Sequence, residues 1–333
     1  MCKKTSNKPN KTLKNLDSVN PENFSLDTLA QVRKSDQNLL TKSTLVKKAR
    51  AKYMTQNLVF SLANLKSCLQ KSYWNSYHCN TLLQQKGKVL SSKYCNNRWC
   101  AVCNRVRVAK LIKGYYPILS GFNEKFFITL TVPNCNAEDL QDVIEKMNKD
   151  IRRIFDGYFR KTLKLKALGI KKIEVTYNPQ RKYQPYHPHF HFILNSEFAG
   201  IKLIEKWLEL NPLASSSAQD IREANDNSVM ELFKYFAKTA VKNKKTGKID
   251  INPTALDVIY TAMYGKRVYQ AYGITKISED IEELHSKEIQ DLTEDDTVWK
   301  WLENDWIDES TGECLTGYTP NEEFIKLVKS IKI

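Results

Sequence analysis

The chain has 333 residues, 41% of them hydrophobic, enough apolar surface for one substantial core and a second, smaller one. No stretch approaches about 18 consecutive apolar residues, which argues against a membrane-spanning helix and against a membrane partner. The formal net charge is +15, and the lysine-rich opening MCKKTSNKPNKTLKNL lacks the apolar core of a secretory signal. The expectation is a cytoplasmic protein whose eight cysteines are mostly reduced or bound to metal.

Residues 1–43 are polar and read as a flexible basic N-terminal segment. From Met1 to Lys113 there are 22 Lys+Arg against 4 Asp+Glu, a net of +18. Such a concentration is an electrostatic footprint for a polyanion, with nucleic acid foremost. The alternative is an ordinary solvated charge.

Residues 44–115 form a basic helical and cysteine-bearing region. TLVKKARAKYMTQNLVFSLANLKSCLQ (44–70) has apolar residues at the spacing of one or two helices, and VRVAKLIKGYYPIL (106–119) reads as an amphipathic helix. Between them lies Cys95-x₄-Cys100-x₂-Cys103, with Cys79 fifteen residues upstream of Cys95. Four thiolates can close a tetrahedral structural Zn²⁺ site, with His78 as an alternative fourth ligand. The spacing is irregular for a zinc finger, and free buried cysteines are the competing reading. Arg98, Arg105 and Arg107, with Trp99 nearby, suit phosphate contact and base stacking.

Residues 116–272 have a different texture. KFFITLTVPN (125–134) reads as a strand stopped by proline, and 137–168 as one long charged helix. KKIEVTYN (171–178) and HPHFHFILN (187–195) read as strands joined by a short loop, so they should pair. Helices are expected over 198–210, 228–242 and 253–264. The order points to an α+β unit, an antiparallel sheet with helices on one face. Residues 273–333 carry the acidic excess: from Ile277 to Ile333 there are 5 Lys+Arg against 16 Asp+Glu, a net of −11. They read as an acidic helical C-terminal region.

Three of the five histidines fall in His187-Pro188-His189-Phe190-His191. On a strand they share one face, about 7 Å apart at alternate positions, while Phe190 and Phe192 point to the other. Such imidazoles can converge on one divalent ion, and Glu174 on the expected partner strand is the best acidic third ligand. Two histidines and a carboxylate would suit Mn²⁺ or Mg²⁺ at an open site. Further on, SVMELFKYFAKTAVK (228–242) aligns Glu231, Tyr235 and Lys238 on one helix face at i, i+4 and i+7. A phenol beside a metal-bound phosphate can attack phosphorus, an ammonium can stabilise the developing charge, and a carboxylate can activate water.

FFITLTVPN, YHPHFHFIL and ELFKYFAKTAVK, in that order, resemble the three motifs of rolling-circle replication initiators in the HUH endonuclease superfamily. The resemblance is to the plasmid Rep class with one catalytic tyrosine and a glutamate one helical turn before it, and it covers about residues 126–241. It implies a central antiparallel sheet of about five strands, with His189 and His191 as the metal pair and His187 as an extra upstream histidine. It implies Tyr235 as nucleophile, Lys238 beside it, Glu231 as activator of a terminating water, and Thr129 and Thr131 in a structural first motif. Arg98 to Cys103 resembles a stretch common in the same class. The implied reaction is metal-dependent nicking and joining of single-stranded or hairpin origin DNA through a 5′-phosphotyrosine, leaving a 3′-hydroxyl primer. Origin duplex, host helicase and host polymerase are the implied partners. Two departures are visible: position 231 is Glu, so this helix offers no second tyrosine, and Val241 and Lys242 stand where an acidic residue is usual.

The alternatives are a transposase or relaxase with the same core, and a non-catalytic zinc-containing DNA-binding regulator. Metal-dependent nicking separates enzyme from regulator.

Overall fold

The structure, a computed structural model, describes residues 42–87, 89–233, 241–242, 249–277 and 297–331. Tyr235, Lys238 and nearly all of the segment 1–43 expected to be flexible lie outside the described residues. In chain order the elements are helices α1 (Lys42–Ala63) and α2 (Gln70–Tyr77), strands β1 (Leu82–Lys86) and β2 (Val89–Ser92), and helix α3 (Ala101–Ser120). There follow strand β3 (Phe126–Thr131), helix α4 (Leu140–Arg152), strands β4 (Gly169–Tyr177) and β5 (Tyr186–Leu194), and helix α5 (Glu197–Leu210). Next are strand β6 (Asp220–Glu223), helix α6 (Asp226–Leu232), and the short strands β7 (Val241–Lys242) and β8 (Ile249–Asp250). Helix α7 (Pro253–Ala262), strands β9 (Tyr269–Tyr272), β10 (Thr297–Leu302) and β11 (Asp305–Asp308), and helix α8 (Glu322–Lys329) complete the series. The class is α+β, as expected.

The chain divides into two compact units. The first, Met1–Val106 with Lys242–Pro253 and Asp280–Ile333, contains an antiparallel sheet ordered β11-β10-β1-β2. Residues from the 44–115 region and from the acidic 273–333 region share this sheet, because β10 pairs directly with β1. Along β10 the burial alternates. Trp299 and Trp301 turn inward with Trp306, Leu83 and Ala49, while Lys300 and Leu302 face water. Their indole N–H groups donate to Gln85, Gln56 and the Asn80 carbonyl at 2.9, 2.6 and 2.8 Å, so burial leaves no donor of the three unmet. Within 297–331 only Glu322–Lys329 is an α-helix.

The second unit, Arg107–Val241 with Thr254–Glu279, is built on a five-stranded antiparallel sheet ordered β6-β3-β5-β4-β9. β4 and β5 pair along all nine residues, from Gly169↔Leu194 to Tyr177↔Tyr186. One sheet face carries Ile128, Leu130, Ile173, Phe190 and Phe192, all fully buried. Helix α4 meets it with Leu140, Ile144, Met147 and Ile151, spaced for one helical face. Trp207 of α5 sets its ring edge-on to Phe190 at 5.9 Å. On the opposite face, Phe127, Ile170 and Ile193 pack against Leu119 of α3 and Val229 and Leu232 of α6. Helices therefore flank both faces rather than the one expected, because half of the second face is apolar too.

Two expected helices are shorter than their periodicity implied. The stretch 137–168 is α-helical only as α4 and continues as a π-helical segment, Arg153–Thr162. The expected helix 228–242 begins at an Asn225 capping box, but Val241–Lys242 is a strand paired with β8, consistent with β-branched Val241 and Ile249. No helix among the described residues is long and apolar enough to cross a membrane.

Two glycines test this packing. A Cβ at Gly169 would fall onto the Ile193 carbonyl oxygen, whereas one at Gly157 in the π-helical segment meets open space. Gly169→Ala is expected to lower stability by about 2–4 kcal/mol, and Gly157→Ala to leave it unchanged or raise it by up to about 1 kcal/mol. Urea midpoints of the two variants check this. Equal midpoints would contradict the β4–β5 approach described here.

Candidate metal centres and nucleic-acid interface

Antiparallel pairing puts directly opposed residues on the same face, so the register of three strands builds the first site. Glu174 lies opposite His189, Lys172 opposite His191, and on the other side Thr131 and Thr129 oppose the same two histidines. Ligand atoms of Glu174, His189 and His191 all lie within 4.8 Å of one another. His189 Nδ1 is 3.1 Å from the His187 carbonyl oxygen, which can only accept, so Nδ1 carries a proton and a neutral ring would present its lone pair on Nε2. His191 Nδ1 contacts the Thr129 hydroxyl at 3.2 Å, and its Nε2 is 3.9 Å from Glu174 Oε2. Two oriented imidazoles and one carboxylate form a donor set suited to a divalent ion with open coordination positions.

Lys172, absent from the expected site, sends its buried ammonium to Glu174 Oε2 at 2.7 Å. Strand alternation could have found it, since 172, 174 and 176 share a face. Burial pushes the Glu174 carboxyl up, but the Lys172 ammonium, helped by His189 and His191 to the extent that they carry a proton, outweighs it and holds the group below its ordinary range. Burial, then His189, pushes His191 down to about 3, and burial, then His189 and Arg181, pushes His187 down to about 4. Both rings are neutral at neutral pH. His187 is not in the group of three; its ring stacks on His189 with centroids 5.1 Å apart, and its Nδ1 is bound to Asn134 Oδ1 at 2.8 Å.

On the same sheet face, Arg222 of β6 lies over the Phe127 ring at 4.7 Å, and Phe127 is 5.2 Å from the His191 ring. The guanidinium reaches Glu231 of α6 at 3.5 Å. Glu231 is thus exposed and held by Arg222, a residue that sequence reasoning did not pick. Tyr235 and Lys238 lie outside the described residues.

The second site is the cysteine cluster of the first unit. Cys79, Cys95, Cys100 and Cys103 bring their sulfurs within 4.8 Å of one another, with Cys79–Cys103 at 3.5 Å and Cys95–Cys103 at 3.6 Å. A tetrahedron with metal–sulfur bonds of about 2.3 Å has edges of roughly 3.8 Å, so the four thiols fit a tetrathiolate ion such as zinc. Their mutual hydrogen bonds pull in opposite directions: Cys100 drives the Cys79 thiol down, while Cys103 drives the Cys100 thiol up. Four thiols packed this closely cannot all ionise without a cation. His78 is not a member of this group.

Among the expected DNA contacts, Trp99 is buried edge-to-face against Tyr73 at 5.6 Å. Its ring faces are therefore largely occupied within the unit. The Arg105 guanidinium donates to the Lys47 carbonyl at 3.1 Å, and Arg98 and Arg107 are half-buried.

Compared with known proteins, residues 86–310, two thirds of the chain, match the family model described as a replication protein. The chain belongs to this replication protein family. Its relatives include replication proteins named "Protein rep". That of Staphylococcus aureus is 28% identical over 191 residues, covering 48% of this chain and 79% of the relative. That of Bacillus amyloliquefaciens is 26% identical over 223 residues, covering 57% of this chain and 64% of the relative. A third, from Streptococcus pneumoniae, is 25% identical over 214 residues, covering 57% and 63%. No solved structure matches the chain. The family match bears out the resemblance to plasmid rolling-circle replication initiators and implies DNA as a partner.

Two outcomes are expected. Titration with Co²⁺ should produce thiolate charge-transfer absorption that saturates at one ion per chain and is lost in Cys100→Ser. Persistence in that variant would dismiss the tetrathiolate site. For pH, the folded values of His187 and His191 lie below about 6.5, the ordinary value, so the unfolded chain binds more protons between those limits. Their contribution is complete above about pH 6.5 and lost as pH falls through about 4 for His187 and about 3 for His191. Without added divalent ions, the denaturation midpoint should drop over that window, and less steeply in His187→Asn. Superimposable profiles would contradict the burial of His187.

Proposed function

We propose that this replication protein nicks and rejoins single-stranded or hairpin origin DNA on the histidine-bearing sheet face, with Tyr235 as nucleophile. The observation that carries the reading is the convergence of His189, His191 and Glu174, with Glu231 on the same face through Arg222 and Phe127. The family membership supports it. His189, His191 and Glu174 would hold Mn²⁺ or Mg²⁺, which when bound polarises a phosphodiester. Lys172 and Thr129 keep Glu174 and His191 in place for that task.

In the first step the Tyr235 oxygen loses its proton and forms a bond to phosphorus. The bond from phosphorus to the 3′ oxygen breaks, and that oxygen takes up a proton as the free 3′-hydroxyl. The 5′ end stays on the tyrosine. In the closing step Glu231 takes a proton from water as the water oxygen bonds to phosphorus, or an incoming 3′-hydroxyl attacks instead and rejoins the strand; in both cases the bond from phosphorus to the Tyr235 oxygen breaks and the phenol takes a proton back. Lys238 stabilises charge on the phenolate oxygen. Cys79, Cys95, Cys100 and Cys103 would hold structural Zn²⁺ in the first unit, with Arg98, Arg105 and Arg107 contributing DNA contacts. Host helicase and polymerase would extend the primer on origin duplex opened by the protein.

The test is a labelled single-stranded oligonucleotide carrying the candidate origin, incubated with Mn²⁺ or EDTA. Cleavage should require Mn²⁺, leave protein on the 5′ end, and fall by about two orders of magnitude or more in Tyr235→Phe and His189→Ala. Glu231→Gln should still cut but release the 5′ end about 10- to 100-fold more slowly. Undiminished cutting by Tyr235→Phe would remove it as nucleophile.

A further inference from the structure

Adjacent lysines on β4 go to opposite faces of the sheet. Lys172 joins Glu174 on the histidine face, whereas Lys171 lies on the face covered by α4, as its pairing with Phe192 and Gln270 requires. Lys171 is 1% exposed. Its ammonium has one hydrogen bond, 2.8 Å to Asn148 Oδ1, and the Phe190 ring lies 4.5 Å away. No carboxylate pairs with it among the described residues. A buried ammonium without a counter-charge is costly, and burial followed by the charge of Arg152 lowers Lys171 to about 7.

Asn148 connects this lysine to a cavity of about 630 Å³ whose lining includes Lys149, Arg152, Lys266, Arg267 and Gln270. The walls come from α4 and from the segment entering β9, more than a hundred residues apart in sequence. Five basic side chains line it against one acidic, Glu145. Two of the five are already engaged: Lys266 pairs with Glu145 at 2.8 Å, and Lys146 with Asp150 at 2.7 Å. Lys149, Arg152 and Arg267 are exposed, and none has a side-chain partner among the described residues. Three unengaged cations over a buried fourth form a concave anion site, and two of the three are guanidinium forks matched to phosphate oxygens.

We propose that this cavity binds a phosphodiester group of DNA, on a segment other than the one handled at the histidine face. The inference rests on the family's dealings with DNA and is independent of the nicking chemistry. Filling the cavity with an anion supplies the missing counter-charge for Lys171 and places a second DNA contact behind the sheet.

The experiment uses the full chain without Mn²⁺. Fluorescence anisotropy measures binding of labelled single-stranded and duplex oligonucleotides, for wild type, for K149Q/R152Q/R267Q, and for K171M. The triple variant alters exposed side chains only, and K171M keeps the length and apolar stem of the buried one. Expected is a loss of about tenfold or more for the triple variant at ~0.1 M salt, with the slope of log K against log salt reduced by about 2–3 for duplex. K171M should bind several-fold more weakly. Nicking of a short origin oligonucleotide should be unchanged in the triple variant. Wild-type affinity and slope in the triple variant would overturn the proposal. So would inorganic phosphate that stabilises wild type beyond chloride at equal ionic strength, but not the triple variant, while the two bind DNA equally, since that identifies a free-anion site. Nicking that falls in step with binding would also overturn it, because the cavity would then belong to the path of the processed strand. If wild type does not nick at all, the nicking reading fails while the anisotropy comparison still decides this one.

Discussion

The register that sets Glu174 opposite His189 and Lys172 opposite His191 decides at once what the sheet buries and what it offers to a ligand. Side chains on a strand alternate with period two, so a slip of one residue would drive three imidazoles toward α4 and α5 and turn Phe190 and Phe192 outward. The two fully buried phenylalanines, packed against Trp207 and Phe155, penalise that slip heavily. The apolar face therefore holds the polar face in place. Second contacts then set the rings: the His187 carbonyl selects the tautomer of His189, and Thr129 meets the far nitrogen of His191.

Charge in this chain does two different jobs, and the net value of +15 mixes them. Lys52, Lys171 and Lys172 are buried. Lys52 donates to the Tyr77 carbonyl at 2.6 Å beside the cysteine cluster, and burial lowers both it and Lys48 to about 8 although the thiols pull the other way. Four thiolates on a doubly charged cation carry a net charge of about −2, which neighbouring ammonium groups would balance. Arg105 is likewise tied to a backbone carbonyl. Part of the apparent nucleic-acid footprint is thus internal scaffolding, and the cations that remain open include Lys149, Arg152 and Arg267 in the middle of the chain.

The sequence disclosed most where a short pattern coincides with a single period. His187 to His191 could be placed on one strand face, and Glu174 on its neighbour, because alternation and a short connection leave few other arrangements. The cysteine spacing disclosed a cluster because four cysteines within 25 residues have few reasons to gather other than a shared ion. What stayed hidden depends on partners distant in sequence. Trp299 and Trp301 flank Lys300 as strand alternation requires, but the acidic residues around them dilute so short a pattern, and β1 lies over two hundred residues away. Trp99 packs edge-on against Tyr73, a partner that no local pattern around Trp99 announces. The basic cavity joins α4 to Lys266 and Arg267, and no local window contains both.

His189, His191 and Glu174 form the proposed seat of one divalent ion. The most direct measurement follows the imidazole resonances during a Mn²⁺ titration of the full chain, since a paramagnetic ion broadens nearby nuclei most. Saturable broadening of the His189 and His191 signals, abolished in Glu174→Gln, is the expected result. Broadening that spares these rings, or that persists in a His189→Ala/His191→Ala variant, would contradict it.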